Sequence, residues 1–146
     1  MSGARTLTRV VMADDHPLYR DGLSRLLRRN GFDVVAEVPN AGAAIRAVEA
    51  TAADVVIMDL NMPGLPGLEA TRRLRAEQPD ARVLVLTVSA QALDVAAAMQ
   101  AGAHGYLLKD DPLDEIVAGV RSTAAGEFTL SPRIARYLLA DGAGVR

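Results

Sequence analysis

The chain has 146 residues, of which half are apolar and 23% are charged, and its formal net charge is −2. This length is typical of one globular domain, and so apolar and nearly neutral a chain is not expected to be disordered. Cysteine is absent and there are two histidines, which excludes disulfide scaffolds and cysteine chemistry and disfavours a histidine-rich metal site. No run reaches the ~20 apolar residues of a membrane helix, and residues 1–9 do not resemble a secretory signal. We therefore expect a soluble, cytoplasmic single domain.

Five short apolar runs predict β-strands, because each is rich in β-branched or aliphatic residues. They are residues 10–13, 34–38, 55–58, 83–86 and 106–108. The first, third and fourth runs are apolar throughout, as expected when both faces of a strand are covered. The second run contains Glu37, and the fifth lies between His104 and Lys109. We therefore expect these two strands at the edges of the sheet.

Amphipathic segments fill the intervals and predict five helices. The first begins at Pro17 and ends at Asn30, and the others cover residues 41–51, 68–78, 90–101 and 112–125. The first helix is expected to have an apolar face and a polar face, the latter made of Arg20, Ser24, Arg25 and Arg28. This alternation predicts an α/β fold with a five-stranded, parallel, doubly wound sheet in the strand order 2-1-3-4-5.

The residues after Gly126 differ from the preceding units. Ser131 and Pro132 are a favourable helix start, and a short apolar face follows, whereas residues 141–146 are typical of a flexible linker. We therefore divide the chain into an N-terminal extension (1–8), a main domain (9–126), and a linker helix with the start of a linker (127–146).

Polar side chains follow four of the predicted strands. They are Asp14 and Asp15 after the first strand, Asp59 after the third, Thr87 after the fourth and Lys109 after the fifth. Because the carboxyl ends of parallel strands meet at one edge, where open α/β sheets place their ligands, we expect these side chains to lie together. Two carboxylates ~4 Å apart repel by about 4 kcal/mol at an effective dielectric of about 20. Oxygen donors of this kind favour Mg²⁺, and a metal, a lysine and a hydroxyl are suited to holding a phosphoryl group.

Each of these residues also has an ordinary structural interpretation. Asp14 or Asp15 could cap the helix that begins at Pro17, and Asp59, which is followed by Asn61 and residues 62–64, could simply begin a loop. Thr87 could be a common strand-end threonine, and Lys109 a solvated surface residue. Their shared position at one edge of the sheet favours a functional site.

Four segments of the chain resemble the receiver domain of two-component response regulators. They are residues 13–17 (ADDHP), 58–64 (MDLNMPG), 86–87 (LT) and 101–109 (AGAHGYLLK), in the order and spacing of the family. The resemblance covers about residues 9–125, and the forms ADDHP and GYLLKD are similar to the NarL/LuxR-type subgroup. It implies a flavodoxin-like receiver fold and a switch that is activated by phosphorylation, rather than an enzyme with external substrates.

The resemblance implies a phosphoryl-accepting role for one aspartate and a metal-binding role for its neighbours. Asp59 would accept the phosphoryl group from a sensor histidine kinase. Asp14, Asp15, Asp59 and the backbone carbonyl of Asn61 would hold Mg²⁺, with Asp14 acting through a water molecule.

The resemblance also implies contacts with the phosphoryl group and a means of signalling it. Lys109 and Thr87 would bind phosphoryl oxygens. As Thr87 moves toward the phosphoryl group, Tyr106 would turn inward and report phosphorylation. Asn61 and Ser89 occupy positions that tune the lifetime of the phosphoryl group in the family.

The sequence departs from the family pattern after the lysine. Many receivers have a proline there, in a cis peptide, whereas Asp110 follows Lys109 here. A cis bond before a residue other than proline costs about 3 kcal/mol, so the sequence leaves the isomer of this peptide open.

The resemblance implies that the output is transcription control through a helix-turn-helix domain outside this chain, with a homodimer on activation and no membrane partner. A stand-alone receiver that acts by protein docking or phosphorelay is the alternative. A phosphohydrolase is disfavoured because Asn61 stands where such enzymes commonly carry a second acid. A nucleotide- or flavin-binding domain is disfavoured because no glycine-rich loop follows the first strand.

Overall fold

Strands and helices alternate through residues 7–144, which are the residues that the computed structural model describes. In chain order the elements are β1 (Arg9–Ala13), α1 (Pro17–Arg29), β2 (Asp33–Val38), α2 (Ala41–Thr51), β3 (Val55–Met58), α3 (Gly67–Glu77), β4 (Arg82–Thr87), α4 (Ala92–Gln100), β5 (Gly105–Leu108), α5 (Leu113–Ala124), β6 (Thr129–Leu130) and α6 (Pro132–Gly144). Within this range, no helix combines the length and the apolar character needed to cross a bilayer.

The strands form one parallel sheet in the order β2-β1-β3-β4-β5-β6. The predicted order of the first five strands is therefore confirmed. The register places Ala13 opposite Met58, and Thr87 opposite Leu108. Because these residues end their strands, the polar residues that follow them emerge at a single edge of the sheet.

The prediction of five strands, with the fifth at an edge, was wrong. The two-residue strand β6 pairs with β5 and covers it. Two residues are too few to show a strand period in the sequence. The pairing also depends on a missing side chain, since a Cβ atom on Gly105 would lie 2.8 Å from the backbone oxygen of Thr129. Glycine allows this close approach of two backbones.

Two further expectations were wrong. Ser24 was expected on the polar face of α1, but it is fully buried. Because α1 packs against β1, β2 and α5, its buried face is wider than its apolar residues alone.

The flexible linker was expected from residue 141, but α6 continues to Gly144. A helix that is already formed extends at little cost, and α6 is anchored near its start by the buried Ile134. Residues 1–6 of the N-terminal extension and residues 145–146 lie outside the described residues.

The core is divided by the sheet and by the C-terminal elements. The side chains of Val10, Met12 and Ile57 pack with α1 and α5 on one face, and those of Val11, Val56 and Met58 pack with α2 and α3 on the other. This alternation follows from the two-residue period of a strand. A third cluster joins β4, β5, α4 and α6; its buried members are Val85, Val95, Ala98, Ala103, Tyr106, Leu108 and Ile134.

A buried hydrogen bond connects the start of α6 to the loop after β5. One carboxylate oxygen of Asp111 accepts from the backbone N–H of Leu108, and the other accepts from the hydroxyl of Ser131, both at 2.9 Å. Asp111 and Ser131 are both buried. The backbone N–H of Ser131 also donates to the carbonyl of Tyr106, at 2.9 Å. Ser131, the residue immediately before α6, is therefore held by its backbone to β5 and by its side chain to the loop that follows β5.

We expect Ser131→Ala to lower the free energy of unfolding by about 1–3 kcal/mol, because it leaves a buried carboxylate oxygen without its donor. Chemical denaturation measures the loss. A double-mutant cycle with Asp111→Ala tests the pairing, since interacting partners give a non-additive double variant. Strictly additive losses would show that the two side chains do not stabilise one another.

Candidate functional site

Three aspartates meet at the carboxyl edge of the sheet. Asp14 and Asp15 follow β1, and Asp59 follows the neighbouring strand β3. Asp14 and Asp59 are buried, with 1% and 4% of their surface exposed, whereas Asp15 is exposed. One carboxylate oxygen from each lies within 4.8 Å of the others. This acid cluster could hold a metal ion, with its solvent side at Asp15.

The helix-capping interpretation of the two aspartates is not what the structure shows. The N-cap of α1 is His16, and no side chain caps the helix there. Asp14 instead uses one carboxylate oxygen to accept from the backbone N–H of His16, at 2.8 Å. The other carboxylate oxygen of Asp14, Oδ2, lies against the ammonium of Lys109.

Lys109 is the cation of the site. Its ammonium nitrogen lies 2.8 Å from Asp14 Oδ2 and 2.9 Å from Asp59 Oδ2, and its side chain is only 10% exposed. Burial alone would lower the pKa of Lys109, but the close carboxylates of Asp14 and Asp59 outweigh it and raise the pKa above its usual value. The ammonium therefore stays charged and offsets the repulsion between the two buried carboxylates.

Asn61 connects the acid cluster to Thr87. The backbone N–H of Asn61 donates to Asp59 Oδ1 at 3.0 Å, and its side-chain amide donates to Thr87 Oγ1 at 3.1 Å. Thr87 is fully buried. Since the hydroxyl oxygen of Thr87 acts as an acceptor in this contact, its proton remains available for another acceptor.

Ser89 and Tyr106 lie beside the acid cluster and are not members of it. The Ser89 hydroxyl donates a hydrogen bond to the carboxylate of Asp94 and accepts one from the backbone N–H of Gln91. These local bonds compete with helix formation, and α4 begins at Ala92 instead of the predicted residue 90. Tyr106 is fully buried and points inward, where its hydroxyl donates to the Ser89 carbonyl at 2.8 Å.

The peptide after the lysine is trans, since no cis peptide bond occurs among the residues that the structure describes. This resolves the isomer that the sequence left open. Asp110 is exposed and does not belong to the acid cluster. The strand-end Thr87 lies close to this loop, because its carbonyl accepts from the backbone N–H of Lys109 at 2.9 Å.

Two residues of α1 contribute to the site without having been predicted. The ring of Tyr19 lies 4.8 Å from the Lys109 ammonium. Arg20, expected on the solvated face of α1, instead donates to the backbone carbonyl of Asp14 at 2.6 Å. The available signal was their place on the first turn and a half of α1, directly after the two aspartates.

The fold and this edge of the sheet define a receiver domain. The chain matches the response regulator receiver domain family over residues 10–121. It therefore belongs to that family, and the family predicted from the sequence motifs is confirmed.

The curated relatives are named as response regulators. A nitrate/nitrite response regulator protein homolog of Haemophilus influenzae is 44% identical over 132 residues, which are 90% of this chain and 64% of the relative. The nitrate/nitrite response regulator protein NarP of Escherichia coli is 40% identical over 130 residues, which are 88% of this chain and 60% of the relative. The chain thus spans less than two thirds of the length of these relatives.

Solved structures agree in fold and in subgroup. A LuxR-family two-component response regulator from Aurantimonas sp. SI85-9A1 is 38% identical with a TM-score of 0.89, over 94% of this chain and 99% of that one. The receiver domain of the putative response regulator NarL from Mycobacterium tuberculosis is 36% identical with a TM-score of 0.81, over 84% of this chain and 100% of that one. The relatives of this chain are therefore of the NarL/LuxR type.

The buried hydroxyl of Tyr106 should make stability depend on alkaline pH. Burial, above all, raises the pKa of Tyr106 from 10.0 to about 12. A raised pKa means that the folded state holds the Tyr106 proton more tightly than the unfolded state. The contribution of this protonated hydroxyl to stability is therefore complete below about pH 10 and is lost as the pH rises toward about 12. We expect Tyr106→Phe to be less stable by about 1 kcal/mol at neutral pH and to lose less stability than the wild type between these pH values.

Chemical denaturation at several alkaline pH values measures this difference. Tyr19 and Lys109 are present in both proteins, so their titration cancels in the comparison. Parallel pH profiles for the two proteins would contradict the assignment of this pH dependence to Tyr106.

Proposed function

We propose that Asp59 accepts a phosphoryl group from a sensor histidine kinase and that this modification switches the output of a transcription regulator. The observation that supports the proposal is the position of Asp59, whose carboxylate lies between the Lys109 ammonium and the backbone N–H of Asn61, beside two further aspartates. A phosphoryl group adds negative charge and strong acceptor oxygens at one point. The residues around Asp59 supply a cation and hydrogen-bond donors for those oxygens.

The acid cluster fits Mg²⁺ by the chemistry of its donors. Mg²⁺ prefers oxygen ligands and binds through one or two carboxylates while it keeps several waters. Asp14, Asp15 and Asp59 supply the carboxylate oxygens, and the exposure of Asp15 leaves room for water on that side. Asp59 and Asp15 would hold the ion together with the backbone carbonyl of Asn61, and Asp14 would act through a water. Bound there, Mg²⁺ would offset negative charge on the phosphoryl oxygens.

The chain's own residues define the transfer step. A carboxylate oxygen of Asp59 forms a bond to phosphorus as the bond from phosphorus to the kinase histidine breaks, and the imidazole leaves with the electron pair. The Lys109 ammonium then pairs with a phosphoryl oxygen, and the Thr87 hydroxyl donates its free proton to another. Such preorganised donors stabilise charge that develops during transfer.

The phosphoryl group should persist on Asp59 long enough to signal. Asn61 cannot serve as a general base for water, because its neutral amide is too weak a base to accept a proton at neutral pH. We therefore assign the chain a self-directed phosphoryl transfer with slow autodephosphorylation and no turnover of external substrates. Asn61 and Ser89 tune this lifetime, and the buried Tyr106 reports the state of Thr87 through the segment that begins at Ser89.

The output that we propose is DNA binding by a helix-turn-helix domain outside this chain. The greater length of the relatives supports this. Residues 9–126 are then the receiver, and residues 127–146 lead toward the output domain. We assign the protein to the cytoplasm, as a homodimer when it is phosphorylated, with DNA contacted only by the output domain. A stand-alone receiver that acts by docking or phosphorelay is the alternative.

Incubation with Mg²⁺ and acetyl phosphate, followed by intact-mass measurement, tests the acceptor. We expect the wild type to gain the mass of one phosphoryl group and Asp59→Asn to gain none. An equal gain in both proteins would place the phosphoryl group on another residue.

Mg²⁺ affinity tests the acid cluster separately. Titration calorimetry should show that Asp15→Asn binds Mg²⁺ at least about 10-fold more weakly, because a carboxylate in contact with the ion contributes more than 1 kcal/mol even in a watery site. Asp110→Asn is the matched control, since it removes the same charge from the same end of the molecule but lies outside the cluster. Equal losses in the two variants would mean that only the overall charge matters.

A further inference from the structure

Tyr19 provides the one aromatic contact to the Lys109 ammonium among the residues that the structure describes. It lies in the first turn of α1, four residues after Asp15, and it is partly buried against the core. The Lys109 nitrogen lies 4.8 Å from the centre of its ring. This distance is within the ~6 Å over which a cation is attracted to an aromatic face.

The ring of Tyr19, rather than its hydroxyl, makes the contact. Within residues 7–144 the buried hydroxyl has no hydrogen-bond partner. Burial and the nearby carboxylates of Asp14 and Asp111 raise the pKa of Tyr19, so the phenol remains neutral. Phenylalanine would therefore keep the part of the side chain that faces Lys109.

The ring also fills a side of the ammonium that the carboxylates leave open. An ammonium has three N–H donors; in the described part of the chain the Lys109 ammonium donates a hydrogen bond to Asp59 and forms an ion pair with Asp14. A lysine side chain is flexible and loses rotamer freedom when it is held in one place. Attraction to the ring face does not require a particular N–H direction, so it is kept when the ammonium exchanges one oxygen partner for another.

We propose that Tyr19 is a positioning residue that holds the Lys109 ammonium at the acid cluster through its ring face, both before and after phosphoryl transfer. The part that concerns transfer rests on the proposed function. Tyr19 acts through Lys109 and does not itself touch the phosphoryl group.

The position of the ammonium can be observed directly, because Lys109 is the only lysine in the chain. Labelling lysine with ¹³C at Cε gives a single side-chain signal in the nuclear magnetic resonance spectrum. A ring that faces this group shifts the attached protons upfield. We expect the shift in the wild type and in Tyr19→Phe, and its loss in Tyr19→Leu.

The same three proteins test the effect on transfer. With Mg²⁺ and acetyl phosphate, we expect Tyr19→Leu to gain its phosphoryl group about 3- to 10-fold more slowly than the wild type. Tyr19→Phe should restore the rate to within about 2-fold. Thermal unfolding of each variant identifies a temperature at which all three are folded, so that a loss of folding is not read as a loss of rate.

Three results would overturn the proposal: an unchanged lysine signal in Tyr19→Leu, a wild-type rate in Tyr19→Leu, or a rate in Tyr19→Phe as slow as in Tyr19→Leu, which would assign the effect to the hydroxyl. Failure of the proposed function gives a different result, namely a wild type that gains no phosphoryl group. In that case the lysine signal in Tyr19→Leu still decides whether the ring positions Lys109.

Discussion

The contact of one ammonium with two buried carboxylates is the interaction on which this site depends. Asp14 and Asp59 are forced together because β1 and β3 are neighbours in register and both end at the same edge. Two buried carboxylates whose oxygens lie within 4.8 Å of one another would destabilise the fold without a counter-charge. Lys109 reaches them from β5, two strands from β3, and only a long side chain can span that distance. The strand order and register bring the two carboxylates together, and Lys109, the only lysine in a chain whose other basic residues are arginines, supplies their counter-charge.

The main features of the fold and of this charge cluster could be predicted because they depend on periodicity and on strand ends. Alternating apolar runs and amphipathic segments indicated the first five strands and five of the helices. The residues that follow Ala13, Met58 and Leu108 must emerge at one edge in any parallel sheet of this order. Their convergence therefore follows from backbone topology and does not require knowledge of side-chain rotamers.

The rest could not be predicted because it depends on contacts between distant side chains or on missing ones. The pairing of strand β6 with β5 requires a glycine at position 105, because a Cβ atom there would lie too close to the backbone oxygen of Thr129. The aromatic contact to Lys109 comes from Tyr19, ninety residues earlier in the chain, and the partner of Asp111 is Ser131. For Tyr19 the one local signal was its place in the first turn of α1, shortly after the two aspartates, and no local pattern distinguishes Ser131 from any other residue that precedes a helix.

Strand β5 links the site to the C-terminal helix. The last residue of β5 directly precedes Lys109, and the side chain of Tyr106 in β5 packs in the same cluster as Ile134 of α6. Backbone groups of β5 also form hydrogen bonds with Ser131 and Asp111, and these two residues bond one another through their side chains. A displacement of the loop that carries Lys109 would therefore strain bonds that also hold the start of α6. Direct contacts therefore connect the start of α6 to the strand that carries Lys109 into the acid cluster.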